Sequence, residues 1–232
     1  MEGPSIIGVG VYTVPEASRL TSVPRARIRR WLRGYEFGRD NTRRRSAPMW
    51  RAQLAPIDRS VALGFLDLME VRFVDAFLKA GLSLATIRKA AKLATELLGQ
   101  DHPFSTQKFR TDGNRIFAQL EHREHGDKTL YDLERKQFGI YDFIVPSRLE
   151  GVEFDNKGQA ARWYPDKVGA PRVVIDPRRQ FGHPIVDLGG VQTSVLADAF
   201  RAEGSIESVA RWFELPVEAV EQAVKFELKL VA

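Results

Sequence analysis

The sequence predicts a mainly α protein with a small α+β layer: an N-terminal winged helix-turn-helix, a central short-stranded sheet, and a C-terminal three-helix domain of helix-turn-helix type. Three observations carry this. Apolar residues recur at helical spacing through 14–32, 59–98 and 193–229. Between these runs, Thr111-Asp112-Gly113-Asn114 and Asn156-Lys157-Gly158 each separate short β-prone stretches, which is a hairpin signal. The opening motif, VPEASRL then VPRARIRRWL, returns in plan 192 residues later as IESVARWFELPVEAVEQAV. The expected division is 1–100, 101–165 and 166–232.

The first element is a helix capped by Thr13, with Pro15 and Glu16 inside its first turn. Glu16, three residues after Thr13, completes a capping box. Val9–Tyr12 before it can add a strand. Thr21-Ser22-Val23 breaks the helix, and Pro24 restarts one where its missing N–H costs little. Ile28, Trp31 and Leu32 form the buried stripe of this second helix, and Gly34 ends it in a left-handed conformation.

The rest of the second helix is basic: Arg25, Arg27, Arg29, Arg30 and Arg33, with no acid to offset them. Arg25, Arg29 and Arg33 are four apart and share a face. A helix-turn-helix sets its second helix in the DNA major groove, where arginine pairs with guanine edges or grips phosphates as a fork. The following turn-rich stretch 38–42, then Arg43, Arg44 and Arg45, reads as a two-stranded wing with a basic tip. Met49, Trp50 and Leu54 give the returning strand something to bury. From Arg25 to Arg51 there are ten arginines and two acids, a local net of +8. The whole chain carries +5, so everything outside this segment sums to −3. Charge concentrated on one module is the footprint of a phosphate-binding surface.

Two strong helices come next. One runs from about Arg59 to Lys79 with Leu66, Met69, Phe73 and Phe77 on one face. The other runs from about Leu84 to Leu98, capped by Ser83, with Ile87, Ala91, Ala94 and Leu98 inward and Gly99 closing it. Leu66, Phe73 and Phe77, with the apolar C-terminal helix, are the candidates for a homodimer interface.

The order of these elements, with FLDLMEVRFVDAFLKAGLSLATIRKA as the helix pair, resembles the MerR family of winged helix-turn-helix regulators over roughly Tyr12 to Gly99. That family pairs the module with a long dimerising coiled coil and an effector site, often holding metal through cysteine. The chain has no cysteine, so metal sensing is not implied, nor are disulfides or thiolate chemistry.

The middle, from about Asp101 to Tyr164, is expected to hold two hairpins (Lys108–Arg110 with Ile116–Leu120, and Val152–Asp155 with Gln159–Trp163). A strand at Thr129–Leu133 and a short helix around Phe138, Tyr141 and Val145 complete it. Glu121-His122-Arg123-Glu124-His125 holds two histidines three apart but no third metal ligand, and reads as a solvated loop. Val173-Val174-Ile175 is a further strand. Nothing resembles a phosphate-cradling glycine loop or a nucleophile elbow, so neither an enzyme nor a cofactor is indicated. No apolar run approaches the roughly 20 residues a membrane helix needs, and the start lacks a signal-peptide pattern. A cytoplasmic protein is expected.

At the C-terminus Thr193 is expected to cap a helix to about Ala202, ended by Gly204. Ser205 caps Ile206–Phe213, and Pro216 opens a helix to about Lys229. Here the five arginines of the first motif are replaced by Val217, Ala219, Glu221, Gln222 and Lys225. Residues 193–232 hold seven acids and four bases, a net of −3. Acid repels DNA but complements the basic surface of an RNA-binding protein, which makes Glu214, Glu218 and Glu221 partner-binding candidates. Trp212, Phe213 and Phe226 are expected in the core, and any that proves exposed becomes an anchor.

Asp176-Pro177, Phe181-Gly182, Pro184, Thr193, the Gly204-Ser205 break and the Ala210…Leu215 turn resemble the small three-helix domain of VapB-type antitoxins, over about Val173 to Glu227. The resemblance implies an antitoxin of a type II toxin–antitoxin system. Such a protein binds operator DNA as a homodimer, represses its own operon and neutralises a PIN-like ribonuclease toxin. The alternative is a MerR-like transcription regulator gated by a small molecule in the α+β layer.

Overall fold

The computed structural model describes residues 6–38, 44–109, 113, 116, 151–165 and 172–231. Arg43, the Glu121–His125 run, Thr129–Leu133 and the expected helix near Phe138, Tyr141 and Val145 lie outside these residues. Among the described residues the fold is mainly α with four small two-stranded sheets. The chain gathers into two compact units. An N-terminal unit comprises Thr13–Glu150 and Phe154–Ala160, and a C-terminal unit comprises Met1–Tyr12, Gly151–Glu153 and Ala161–Ala232.

The N-terminal unit opens after a two-residue strand, β1 (Tyr12–Thr13), with helix α1 (Val14–Thr21). The capping box forms: the Thr13 hydroxyl accepts from the Glu16 backbone N–H, and the Glu16 carboxylate accepts from the Thr13 backbone N–H at 2.7 Å. Ser22 takes the left-handed conformation at φ 57° and turns the chain into α2 (Arg25–Arg33). Val14, Ala17, Val23, Ile28, Trp31 and Leu32 are buried and pack the two helices into a helix-turn-helix.

Strands β2 (Tyr35–Phe37) and β3 (Arg44–Ser46) pair antiparallel, with Glu36 opposite Arg45. This is the wing. Gly34 leads into it at φ 72° with an extended ψ, and a Cβ there would overlap the Ser46 carbonyl, so only glycine lets α2 meet β3 this closely. Met49, Trp50 and Leu54 are buried as expected, but they follow β3 rather than belonging to it.

Helix α3 begins later than its periodicity suggests. It spans Phe65–Lys79, preceded by a tight turn (Asp58 and Arg59 both at positive φ) and by β4 (Ala62–Leu63). Gly64 is its N-cap, and the Asp67 side chain accepts the Gly64 N–H at 2.8 Å. From Phe65 to Phe77 every residue except Leu66 is buried. Such a helix is central, because apolar surface on all sides must be covered on all sides. Helix α4 (Leu84–Leu98), capped by Ser83 and closed by left-handed Gly99, packs beside it with Ile87, Ala90, Ala91, Leu93 and Ala94 inward.

Two expectations are corrected here. Phe73 and Phe77 are no dimer surface: both are fully buried, and their rings sit 5.4–6.5 Å from those of Phe104 and Phe109. The hairpin expected at Lys108–Leu120 is also contradicted where the segment is described: Gln107, Lys108, Phe109, Gly113 and Ile116 are helical, not extended. The Thr106 hydroxyl accepts the Phe109 N–H at 3.0 Å and starts that helix. Phe109, Gly113 and Ile116 are buried at i, i+4 and i+7.

The second hairpin forms as expected, with arms β5 (Val152–Phe154) and β6 (Ala160–Trp163). In the C-terminal unit, β7 (Val173–Val174) pairs antiparallel with β8 (Ile185–Val186). Helices α5 (Thr193–Glu203), α6 (Ile206–Trp212) and α7 (Val217–Val231) then enclose Val186, Leu196, Val209, Ala210, Ala219, Val220 and Ala223. Thr193 does not cap α5 but is its first residue. It is buried, and its hydroxyl donates to the Glu227 carboxylate, pinning α5 to α7. The echo of the first motif extends to the backbone. Shifted by 192, Ser22 falls on Glu214, which is also left-handed, at φ 53°.

Candidate nucleic-acid interface

Local sequence places the basic side chains. The stripe of Ile28, Trp31 and Leu32 faces the core, so the arginines between them are turned out, and Arg25, Arg27, Arg29, Arg30 and Arg33 are all exposed. Their surroundings divide them. Arg27 Nη1 lies 3.6 Å from the carboxylate of Asp75 on α3. The Arg30 guanidinium sits 5.7 Å from the centre of the Tyr35 ring. Arg33 donates to the Arg59 carbonyl at 2.8 Å. Arg25 and Arg29, one turn apart, have no side-chain partner among the described residues. On the wing, Arg44 and Arg45 are exposed.

A layer behind this surface holds it in place, and sequence reasoning missed it. The Met49 N–H donates to the Trp31 carbonyl at 2.7 Å, tying the chain after the wing to α2. Arg88 of α4 donates to the carbonyls of Ala47 and Pro48 at 2.7 and 3.2 Å. Burial draws its guanidinium down from the ordinary value, with Tyr35 acting in the opposite direction.

Asp67 of α3, fully buried, accepts from Trp50 Nε1 (2.8 Å), from the Gln53 N–H (3.1 Å), and from His102 Nε2 (2.9 Å). The Gln53 side chain in turn accepts the Leu66 N–H at 2.7 Å. Glu70, one turn along, accepts the Ser105 N–H at 3.0 Å. Burial pushes its carboxyl up to about 7, against the opposing pull of the His102 charge. For His102 burial works downward, but the Asp67 hydrogen bond and the nearby charges of Glu70, Asp67 and Asp101 outweigh it and hold the ring above its ordinary value. One cue was legible: acids at 67, 70 and 75 on a helix too apolar to have a wet face.

A groove of about 500 Å³ opens beside α2, lined by Arg27, Arg30, Trp31, Tyr35, Leu78, Lys79 and Leu84. In the C-terminal unit, Glu214 and Glu218 are exposed, while Glu221 is half-buried and paired with Lys225 at 3.0 Å. Trp212 overturns the expectation that it is core, being 61% exposed. Phe213 is half-buried, and Phe226 is core as expected. Among the described residues, no helix is long and apolar enough to cross a membrane.

Comparison with known proteins adds three findings. Residues 10–91 match a family described as "Putative DNA-binding HTH domain". The protein named "Putative antitoxin VapB45" of Mycobacterium tuberculosis (strain ATCC 25618 / H37Rv) is 29% identical to this chain over 209 residues, which is 87% of each. The crystal structure of Rv2018 from Mycobacterium tuberculosis matches with a TM-score of 0.71 at 24% identity, covering 94% of this chain and 99% of that one. This last likeness is one of fold.

Proposed function

We propose that the chain is a DNA-binding antitoxin. It represses its own operon as a homodimer and neutralises a PIN-like ribonuclease toxin in the cytoplasm, with no catalysis of its own. The work on DNA belongs to 1–100 and the work on the toxin to 166–232, with 101–165 between them. The observation that carries the reading is the Arg25–Arg29 pair, without a side-chain partner among the described residues, on the exposed face of a helix-turn-helix beside exposed wing arginines. The similarity to a protein named as an antitoxin supports the second half of the reading.

The DNA-facing surface comprises Arg25, Arg29, Arg30, Arg33, Arg43, Arg44 and Arg45, whereas Arg27, expected from the sequence to belong to it, is turned to Asp75. Arg25 and Arg29 read bases, whereas the wing grips phosphate. Fluorescence anisotropy on a fragment of the chain's own promoter tests this. Arg29→Ala should cost about 1–3 kcal/mol on the cognate site and relax preference at one position. Arg44→Ala with Arg45→Ala should weaken cognate and scrambled DNA alike. Normal binding by the wing variant removes the wing assignment.

On the C-terminal unit, the reading sets Glu214, Glu218 and Glu221 against a basic toxin surface, with exposed Trp212 as the apolar anchor. Glu214→Lys with Glu218→Lys should slow association with the co-expressed neighbouring gene product at low salt, and Trp212→Ala should speed dissociation. Unchanged kinetics in both variants would exclude this face.

A second reading, a MerR-like regulator gated by a small molecule, is favoured by the cationic, aromatic groove beside α2. A metabolite that raises the melting temperature, and loses that effect in Tyr35→Ala, would support it.

A further inference from the structure

Asp75 stands apart from the other acids of α3. Its side chain is 5% exposed, yet it faces the basic helix rather than the core network. One oxygen lies 2.7 Å from Lys79 Nζ, one turn along the same helix. The other lies 3.6 Å from Arg27 Nη1, too far for a hydrogen bond, and it is shut off from solvent with no hydrogen-bond partner among the described residues. One buried carboxylate therefore faces two cations, both of which are otherwise more than half exposed.

The arrangement is selective. At 100° per residue, Arg27 lies about 160–200° around α2 from Arg25 and Arg29. Those two have no side-chain partner among the described residues. Arg27 and Lys79 also line the same groove, next to the exposed edge of α2. Free cations at that edge would each take up a phosphate, and phosphate contacts strengthen binding to every sequence equally.

We propose that Asp75 sets the selectivity of the DNA-facing surface by holding Arg27 and Lys79 out of phosphate contact. Asp75 is a positioning residue: it touches no DNA. It limits the sequence-independent part of binding, so that the base contacts of Arg25 and Arg29 make up a larger share. The proposal rests on reading α2 as the DNA-contacting helix.

The test uses the full chain and measures how log affinity depends on log salt, for a cognate promoter fragment and a scrambled duplex. Each phosphate contact contributes about 0.9 to that slope. Arg27→Ala should leave the slope unchanged, whereas Arg44→Ala, on the wing that grips phosphate, should flatten it by up to about 0.9. Asp75→Asn should steepen it by about 0.9–1.8 and strengthen scrambled-DNA binding about tenfold per added contact at 0.1 M salt, so the cognate-to-scrambled ratio falls. Arg27→Ala added to Asp75→Asn should take about 0.9 of slope back, and Asp75→Glu should restore wild-type behaviour. These slopes report charge released to phosphate, which a merely packing role would not move.

Arg27→Ala flattening the slope as much as Arg44→Ala overturns the proposal, and so does a folded Asp75→Asn with the wild-type slope. If Asp75→Asn does not fold, the Arg27→Ala and Arg44→Ala comparison still decides. Wild-type protein that binds neither duplex would instead overturn the DNA reading itself.

Discussion

Replacing Asp67 with alanine is expected to lower the stability of the N-terminal unit by about 3–5 kcal/mol, the range for breaking a buried charged pair. Asp67 is fully buried and meets Trp50 Nε1, His102 Nε2 and the N–H groups of Gln53 and Gly64. Alanine would leave these donors without an acceptor, each at about 1–3 kcal/mol. It would also open a small cavity and leave His102 without the partner that holds its proton. Asparagine keeps one acceptor oxygen but turns an N–H₂ toward other donors, so its loss should be smaller than alanine's but still clear. Urea unfolding followed by the fluorescence of Trp31 and Trp50 measures this. A loss below about 1 kcal/mol, the level of an ordinary point substitution, would mean the network is not what ties the wing's return to α3. A functional consequence follows, because the bonds of Trp50 and Gln53 hold the segment that sets the wing beside α2. Asp67→Asn should therefore weaken DNA binding at temperatures where the unit is still folded.

Stability should also fall as pH rises from about 5 to 8, and Glu70 should account for most of the change. Its folded value is about 7 against 4.5 for the free side chain, so across that window the folded state binds more protons than the unfolded state. Stability must then decline with rising pH, from near the free value until about 7, where the folded carboxyl also ionises. A displacement from 4.5 to about 7 corresponds to roughly 3 kcal/mol. His102 acts in the same direction. Its folded value is raised, so its contribution is present below 6.5 and is lost as pH climbs through the raised value. Glu70→Gln keeps an oxygen for the Ser105 N–H and cannot ionise, so it should flatten the profile and be more stable than wild type at pH 8. Unfolding midpoints at pH 5, 6, 7 and 8 for both proteins provide the comparison. A wild-type profile rising with pH would show that Glu70 is ionised throughout.

Much of the architecture could be read from the chain because it is encoded locally. A capping box needs only Thr13 and Glu16, three residues apart. A helix end needs only Gly99 or Gly204 in the left-handed well. The outward turn of Arg25 and Arg29 needs only that Ile28, Trp31 and Leu32 are apolar and the helix has 3.6 residues per turn. The charge asymmetry between Arg25–Arg51 and the rest is a property of composition, and no fold could remove it.

Where the local reading failed, a distant residue had decided. Phe73 and Phe77 look like a free apolar face until Phe104 and Phe109, some thirty residues on, cover them. Thr193 looks like a cap until Glu227 claims its hydroxyl. Lys108–Leu120 looks like a hairpin because Asp-Gly favours a turn, but Phe109, Gly113 and Ile116 are helical and buried, at a spacing that shares one helical face.

By itself, then, the sequence determined most of the elements, their order and the position of the positive charge, since these depend on neighbours within about four residues. Only the tertiary structure decided which arginines are paired. Arg25 and Arg27 are two residues apart and chemically identical, yet Asp75 stands 3.6 Å from one of them, and a pairing across 48 residues of chain leaves no local trace.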